Sequence, residues 1–159
     1  MTKEQIKEFT LRTTQANHSG LILVMFDVEH VYLSDAMALY EKGDEEGYIK
    51  NIELARKVLN ELMASFDLKN TLSKRIVAIL RFIYKKQVAS IVKREPQELD
   101  RCMNMLDNLR NGLVALHEKD DEGPVMKNTH QVYAGLTYGK GTLNESIEGM
   151  NYSTRGFTV

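Results

Sequence analysis

The sequence has little of several features on which other kinds of protein depend. It contains one cysteine, Cys102, so no intramolecular disulfide can form. No stretch approaches the roughly 18 continuous apolar residues that a membrane-spanning helix needs. The formal net charge is -1 and the pI is about 6.4, so the chain lacks the positive field on which binding to phosphates depends. These absences exclude a disulfide scaffold, a membrane span and a nucleic-acid partner.

The composition is that of one globular domain. Of the 159 residues, 43% are hydrophobic and 27% are charged, which is enough to build a core without metals or disulfides. The first nine residues lack the apolar stretch of a secretory signal, so we expect a cytoplasmic location. Four glycines precede residue 120 and six follow it, which separates a Gly-rich tail from the rest.

Residues 17–119 contain four segments whose apolar residues recur with a spacing near 3.6, which predicts four helices. The second segment has the clearest apolar stripe: Tyr48, Ile52, Ala55, Leu59, Leu62 and Phe66. Matched lengths and short connections favour antiparallel neighbours. The predicted fold is therefore all-α: an antiparallel up-down four-helix bundle over residues 15–119, with an N-terminal strap at 1–14 and a partly ordered C-terminal tail at 120–159.

Polar residues and glycine mark the ends of these helices. The first helix is predicted from about Leu21 to Glu41, with Asn17 as its N-cap and Gly43 just beyond its end. Asp44 is placed to cap the second helix, and Asp67 or Asn70 the third, which runs from about Thr71 to Lys93. Pro96 is expected at the first position of the fourth helix, where a proline loses no intrahelical hydrogen bond.

The first predicted helix has two apolar faces. One face, predicted to point to the core, holds Leu21, Met25, Val28, Tyr32 and Leu39. A second lies roughly 120° round the helix, since residues advance by about 100° each, and holds Ile22, Phe26, Leu33, Met37 and Tyr40. The wide apolar arc has two interpretations: contact with two neighbouring helices, or a groove for a partner protein.

The sequence offers no catalytic or metal-binding pattern. No histidine follows a glutamate at the i, i+3 spacing of a di-iron bundle. A histidine phosphotransfer domain, with His30 or His117 as phosphoryl acceptor, is an alternative, but neither histidine is followed by the Lys and Gly that such domains carry. Cys102 lies on an apolar stripe and is interpreted as core packing. We therefore predict no enzyme, cofactor or metal.

Three segments resemble the FliS family of flagellar secretion chaperones. Residues 15–27, QANHSGLILVMFD, resemble its first-helix signature, with Leu21 and Asp27 matching outright. Residues 55–67, ARKVLNELMASFD, resemble its second helix, and residues 106–110, LDNLR, its Leu-x-x-Leu-Arg motif. The similarity covers about residues 15–117. Departures include His18 for a proline and Phe26 for a tyrosine.

The resemblance implies an antiparallel helical bundle that binds the disordered C-terminal segment of flagellin and prevents its polymerisation before export. It further implies an N-terminal strap that covers part of the client site. We place the partner-binding surface on residues beside the main apolar stripes: Ile22, Phe26, Leu54, Val58, Leu80 and Tyr84.

Other features stay open at the level of sequence. A generic helical interaction module would share the same fold and charge. A second flagellar factor as partner and a homodimer are not decided by the sequence. In the tail, Thr142 and Glu145 have the spacing of a capping box, followed by apolar residues that predict a short docking helix up to about Met150.

Overall fold

The structure, a computed structural model, describes residues 1–126. The predicted short helix in the tail lies outside these residues. Within them the secondary structure is entirely helical, which confirms the all-α prediction. None of the described helices is long and apolar enough to cross a membrane. The described part contains five helices: α1 (Lys3–Gln15), α2 (His18–Glu41), α3 (Glu45–Ala64), α4 (Thr71–Lys93) and α5 (Leu99–His117).

The polar residues predicted at the helix starts do cap the helices. In each case the side-chain oxygen accepts a hydrogen bond from a backbone N–H in the first turn, which would otherwise be unsatisfied. The three caps are Asn17 for α2, Asp44 for α3 and Asn70 for α4. Gly43 has φ 75° just after α2, where a residue with a Cβ would be strained. The turn between α2 and α3 is therefore fixed by Gly43 and Asp44 together.

The prediction that Pro96 begins the last helix is wrong, because α5 begins three residues later at Leu99. Between α4 and α5 the chain passes through two left-handed residues, Arg94 with φ 57° and Glu98 with φ 56°. A right-handed helix cannot contain such a residue. Pro96 therefore belongs to the connection, which is held by a 2.9 Å hydrogen bond from Gln97 N–H to the Ser90 hydroxyl.

The first helix occupies most of the segment that was predicted as a strap. Thr2 and Gln5 form a capping box at its start. The amino group of Met1 forms an ion pair with Asp35, in the second half of α2, while Arg12 pairs with Asp27, in its first half. These two contacts show that α1 runs antiparallel to α2.

The helices that follow pack side by side, with α2 between α3 and α5 and with α4 touching both α3 and α5. Ser19, near the start of α2, lies against His117, at the end of α5. Arg94, just after α4, pairs with Glu45, at the start of α3. These contacts show that α2 is antiparallel to α5 and that α3 is antiparallel to α4.

The core confirms the predicted stripe of the second segment. Its members from Tyr48 to Leu62 are fully buried, and Phe66, beyond the end of α3, is half-buried against them. Leu99, Cys102 and Leu106 of α5 are also buried. Burial raises the pKa of the Cys102 thiol to about 11, consistent with a packing role.

The prediction of which face of α2 points to the core is wrong. Phe26 and Leu33, from the second apolar stripe, are buried at 1% and 0% exposure. The residues predicted to point inward, among them Met25 and Tyr32, are only half-buried. The reason is that α2 contacts three helices, so apolar residues surround it and their periodicity does not identify the innermost side.

The core also holds a polar pair that links α2 to α4. Glu29 and Gln87 are both 0% exposed, and the Gln87 side-chain amide donates a hydrogen bond to Glu29 Oε1. Glu29 Oε2 and Gln87 Oε1 have no hydrogen-bond partner among residues 1–126. Burial raises the pKa of Glu29 to about 8, against the opposing effect of the bond from Gln87. The carboxyl therefore keeps its proton to a higher pH than an exposed glutamate does.

Glu29 makes the stability of the fold depend on pH. Because its folded-state pKa lies above the unfolded value of 4.5, the folded state holds the proton more tightly, and stability falls as the pH rises from about 5 to about 8. Glu29→Gln removes this titration and still pairs with Gln87. We expect the difference in free energy of unfolding between this variant and the parent to increase, in favour of the variant, by up to about 1.4 kcal/mol for each pH unit across this window. Urea unfolding at several pH values measures the difference.

The control for this measurement is Glu53→Gln, at an exposed position of α3. It should follow the parent at every pH. A constant difference between Glu29→Gln and the parent from pH 5 to pH 8 would show that Glu29 is ionised throughout and would contradict the assignment.

Two glycines should respond in opposite directions to substitution by alanine. A Cβ at Gly43 meets nothing within 4 Å, so only its positive φ opposes the change, and Gly43→Ala should destabilise the protein by about 1 kcal/mol. Gly112 lies inside α5, also with open space around a Cβ, and Gly112→Ala should stabilise it by about 1 kcal/mol. Thermal unfolding of the two variants checks both signs. A loss of stability in both would mean that Gly112 is needed for its size.

Candidate functional site

The structure does not bring the six predicted partner-binding residues together on one surface. Phe26 and Leu80 are 1% and 0% exposed and belong to the hydrophobic core. Neither can meet a partner in the folded state. Phe26 was assigned to the surface because the innermost side of α2 was misjudged. Leu80 has the same spacing as the other apolar residues of α4, and spacing alone does not distinguish a core residue from a surface residue.

The other four predicted residues are half-buried and lie on different flanks. Leu54 and Val58 are one turn apart on α3 and lie outside the hydrophobic core cluster. Tyr84 of α4 packs under the Arg56 guanidinium, 5.9 Å from its ring centroid. Arg56 is about 160° round α3 from Leu54 and Val58, given about 100° per residue. Leu54 and Val58 therefore lie on one side of α3, and Tyr84 lies on the opposite side.

Ile22 of α2 is the remaining predicted residue. It is half-buried and packs against the edge of the core cluster. Its location on α2 is compatible with a surface contact, but no described contact connects it with Leu54 or Val58. The predicted surface is thus a set of separate apolar positions rather than one groove.

A further apolar area lies at one end of the helices. Leu68 precedes α4, Leu72 is in its first turn, and Leu116 is in the last turn of α5. The Lys86–Glu98 ion pair shows that α4 and α5 are antiparallel, so the start of α4 and the end of α5 lie at the same end. All three leucines are about half exposed. Sequence periodicity does not show that they are exposed, because an apolar residue near a helix end has the same spacing as one in the core.

The structure joins two segments on which the family resemblance depends. Asp27, in the first-helix signature, accepts hydrogen bonds from both Arg110 Nε and Arg110 Nη2, the second at 3.2 Å. Arg110 closes the Leu-x-x-Leu-Arg motif on α5. Arg12 of α1 donates to the same carboxylate. One carboxylate therefore ties α1, α2 and α5 together.

The charge of Asp27 is stabilised by these arginines. Burial alone would raise its pKa, but the hydrogen bonds and charges of Arg110 and Arg12 outweigh burial and hold the pKa below its usual range. The hydrogen bond to Asp27 in turn raises the pKa of Arg110. The three groups are partly buried, so their pairing is less weakened by solvent than that of a surface ion pair.

A cleft of about 390 Å³ lies beside this cluster, between α1, α2, α5 and the residues that follow α5. Arg12, Arg110, Asn17, His117 and Glu122 contribute its polar lining. Sequence reasoning missed Arg12, which gave no signal beyond being a charged residue in an amphipathic segment. It also assigned Asn17 only a capping role.

The two histidines considered for phosphotransfer are engaged with neighbouring side chains. His30 Nδ1 lies 3.0 Å from Asp107 Oδ1, within ion-pair distance but not aligned for a hydrogen bond. His117 Nδ1 lies 2.6 Å from the Ser19 hydroxyl. Among residues 1–126, no three His, Cys, Asp or Glu side chains are grouped to hold a metal ion.

Removing the charge of Asp27 should loosen all three helices that meet there. Asp27→Asn keeps the size of the side chain but leaves Arg110 without its carboxylate partner and Arg12 with only the more distant Glu8, so we expect a loss of about 2 kcal/mol in the free energy of unfolding. Asp107→Asn is the matched control, because its more exposed carboxylate faces only His30 among the ion pairs of residues 1–126; it should cost less than about 0.5 kcal/mol. Urea unfolding of both measures the contrast. Equal losses would contradict a central role for Asp27.

Comparison with known protein families places this geometry in context. The family model described as flagellar protein FliS matches residues 2–120, from the start of α1 to just beyond α5. The matched range includes Asp27 and both of its arginine partners. No curated protein and no solved structure matches the chain significantly. Because the family model covers most of the 159 residues, the chain belongs to the FliS family of flagellar proteins.

Proposed function

We propose that this protein is a cytoplasmic export chaperone for flagellin. It binds the disordered C-terminal segment of flagellin and prevents premature polymerisation before type III flagellar secretion. The observation that carries the proposal is the family match over residues 2–120, since the family is one of flagellar chaperones. The proposed role is binding rather than catalysis, and it requires no cofactor.

The surface of the protein suits a client that folds as it binds. Its apolar positions are distributed over several helices, including Leu54, Val58 and Tyr84 on α3 and α4 and the leucines at the end of the helices. A disordered segment can reach separate positions by wrapping around its partner. The ordering cost of about 2 to 5 kcal/mol keeps such a complex releasable. Release is necessary because the export machinery must take over the client.

We assign separate roles to the parts of the chain. Helices α2 to α5, within residues 15–119, form the up-down bundle that carries the client surface. Helix α1, which ends one residue beyond the predicted strap of residues 1–14, acts as a strap that covers part of that surface until the client displaces it. The support for a removable strap is that α1 comes into close backbone contact with α2 alone among the described helices, and that ion pairs at Asp27 and Asp35 attach it there.

Binding to flagellin tests the proposal directly. Isothermal calorimetry of the full chain against the last forty or so residues of flagellin from the same genome should show saturable binding with a negative heat-capacity change, because apolar area is buried. No heat from a correctly folded protein at high micromolar concentration would leave a helical interaction module with a different client. A homodimer that shares one client would appear in this titration as one flagellin segment per two chains, whereas a second flagellar factor requires a separate titration with that factor.

Charged substitutions test where the client binds. The double variant Leu54→Asp, Val58→Asp places charge on two half-buried positions outside the core cluster and should weaken flagellin binding at least tenfold, about 1.4 kcal/mol. Val92→Asp makes the same kind of change at a residue that is 76% exposed at the far end of α4, and should bind as the parent does. Phe26→Asp is unsuitable, because Phe26 is in the core and its substitution tests folding. Equal affinity of both variants would move the client site away from this flank of α3.

A further inference from the structure

The chain does not leave the helices where α5 ends but returns across the junction between α1 and α2. Within residues 120–126, which we call the return segment, the Val125 N–H donates a 3.0 Å hydrogen bond to the carbonyl of Ala16. Ala16 is the C-cap residue of α1. The return segment therefore satisfies a carbonyl that the end of α1 would otherwise leave to solvent.

Asn17 holds the return segment from the other side of the same junction. Its Oδ1 accepts the N–H of Gly20 at 2.9 Å, which is the cap of α2, while its Nδ2 donates to the carbonyls of Asp120 at 3.4 Å and Glu122 at 3.2 Å. The residue is 8% exposed. One side chain thus uses its acceptor to start α2 and its donors to fix the segment after α5.

The side chains at the junction are closely packed. A Cβ at Gly20 would lie 2.9 Å from Asn17 Oδ1 and 3.3 Å from a ring carbon of His117. His117, the last residue of α5, is bound to Ser19. Glu122 and Pro124 of the return segment line the cleft together with Arg12 of α1. The end of α1, the start of α2 and the chain after α5 therefore pack against one another.

We propose that the return segment is a latch that holds α1 against the bundle. Arg12 and Met1 attach α1 to α2 through ion pairs, whereas the return segment attaches the end of α1 by one backbone hydrogen bond, from Val125 to Ala16. Opening the latch frees the C-terminal end of α1, so that residues after α5 control a helix at the opposite end of the chain. The consequence for client access rests on the proposed function, in which α1 covers part of the client surface. The coupling between the return segment and α1 does not depend on that function.

The variant Asn17→Asp separates the two functions of Asn17. Aspartate caps a helix as well as asparagine does, but it has no N–H to donate to the carbonyls of the return segment. Amide hydrogen exchange of the full-length protein should show that residues 3–15 exchange about tenfold faster than in the parent, as expected for the loss of two hydrogen bonds from a buried amide. Exchange in the middle of α3 should not change.

The control is Asn70→Asp, because Asn70 caps α4 with its Oδ1 and its amide donates no hydrogen bond within residues 1–126. This variant introduces the same charge at a helix N-terminus and should leave exchange of α1 at the parent rate. If Asn17→Asp behaves as Asn70→Asp does, or if it accelerates exchange equally in all helices, the latch is contradicted.

A second pair of variants tests the latch without touching the cap of α2. Val125→Pro removes the N–H that bonds to Ala16, whereas Val125→Ala shortens the side chain and keeps that N–H. Faster exchange of α1 in the proline variant alone supports the latch, and equal exchange in both overturns it. Calorimetry with flagellin, run on the same proteins, separates the two proposals: accelerated exchange of α1 without any flagellin binding would retain the latch and reject the chaperone function.

Discussion

The interaction on which the arrangement of helices depends is the ion pairing at Asp27. A single carboxylate on α2 accepts hydrogen bonds from Arg12 on α1 and from Arg110 on α5. Apolar packing alone allows helices to slide and rotate, whereas a partly buried carboxylate held by two guanidinium groups fixes position and register. Asp27 and Arg110, which are 83 positions apart in the sequence, are thereby in direct contact. This connects separate sequence signatures of the family through one physical requirement: Arg110 must reach Asp27.

Glu29 introduces a different constraint at the centre of the core. A charged carboxylate there would be strongly destabilised, so the group retains its proton and pairs with Gln87. A neutral pair of this kind contributes less stability than a well-packed apolar pair, but its hydrogen bonds have direction. It specifies how α2 lies against α4. Asp27, which is partly buried, and Glu29 in the interior, two residues apart, therefore align the same helix although their pKa values are shifted in opposite directions.

The sequence allowed the helical class, the helix caps and the buried stripe of α3 to be predicted, because each depends on local spacing. It did not allow the buried side of α2 to be predicted, since Phe26 and Met25 are equally apolar and only their neighbours decide which is covered. Pro96 was misplaced because the left-handed Glu98 leaves no trace in composition. Phe26 and Leu80 were assigned to the partner-binding surface for a related reason. Leu80 is indistinguishable by spacing from a partner-binding residue, and burial distinguishes them only once α4 is packed.

The two apolar faces of α2 illustrate how a binding surface and a core can be confused. The periodicity of the sequence allowed two interpretations, a groove for a partner or contacts with several helices. The packing of α2 against α1, α3 and α5 supports the second. A third side of α2, which carries Asp27 and Asp35, is the side that ion pairs with Arg12 and Met1 attach to α1. Leu23 and Val24, which are 8% and 7% exposed, line the cleft between α1 and α2 on this side. A client that takes the place of α1 in the proposed chaperone cycle would therefore gain apolar residues that belong to neither predicted stripe.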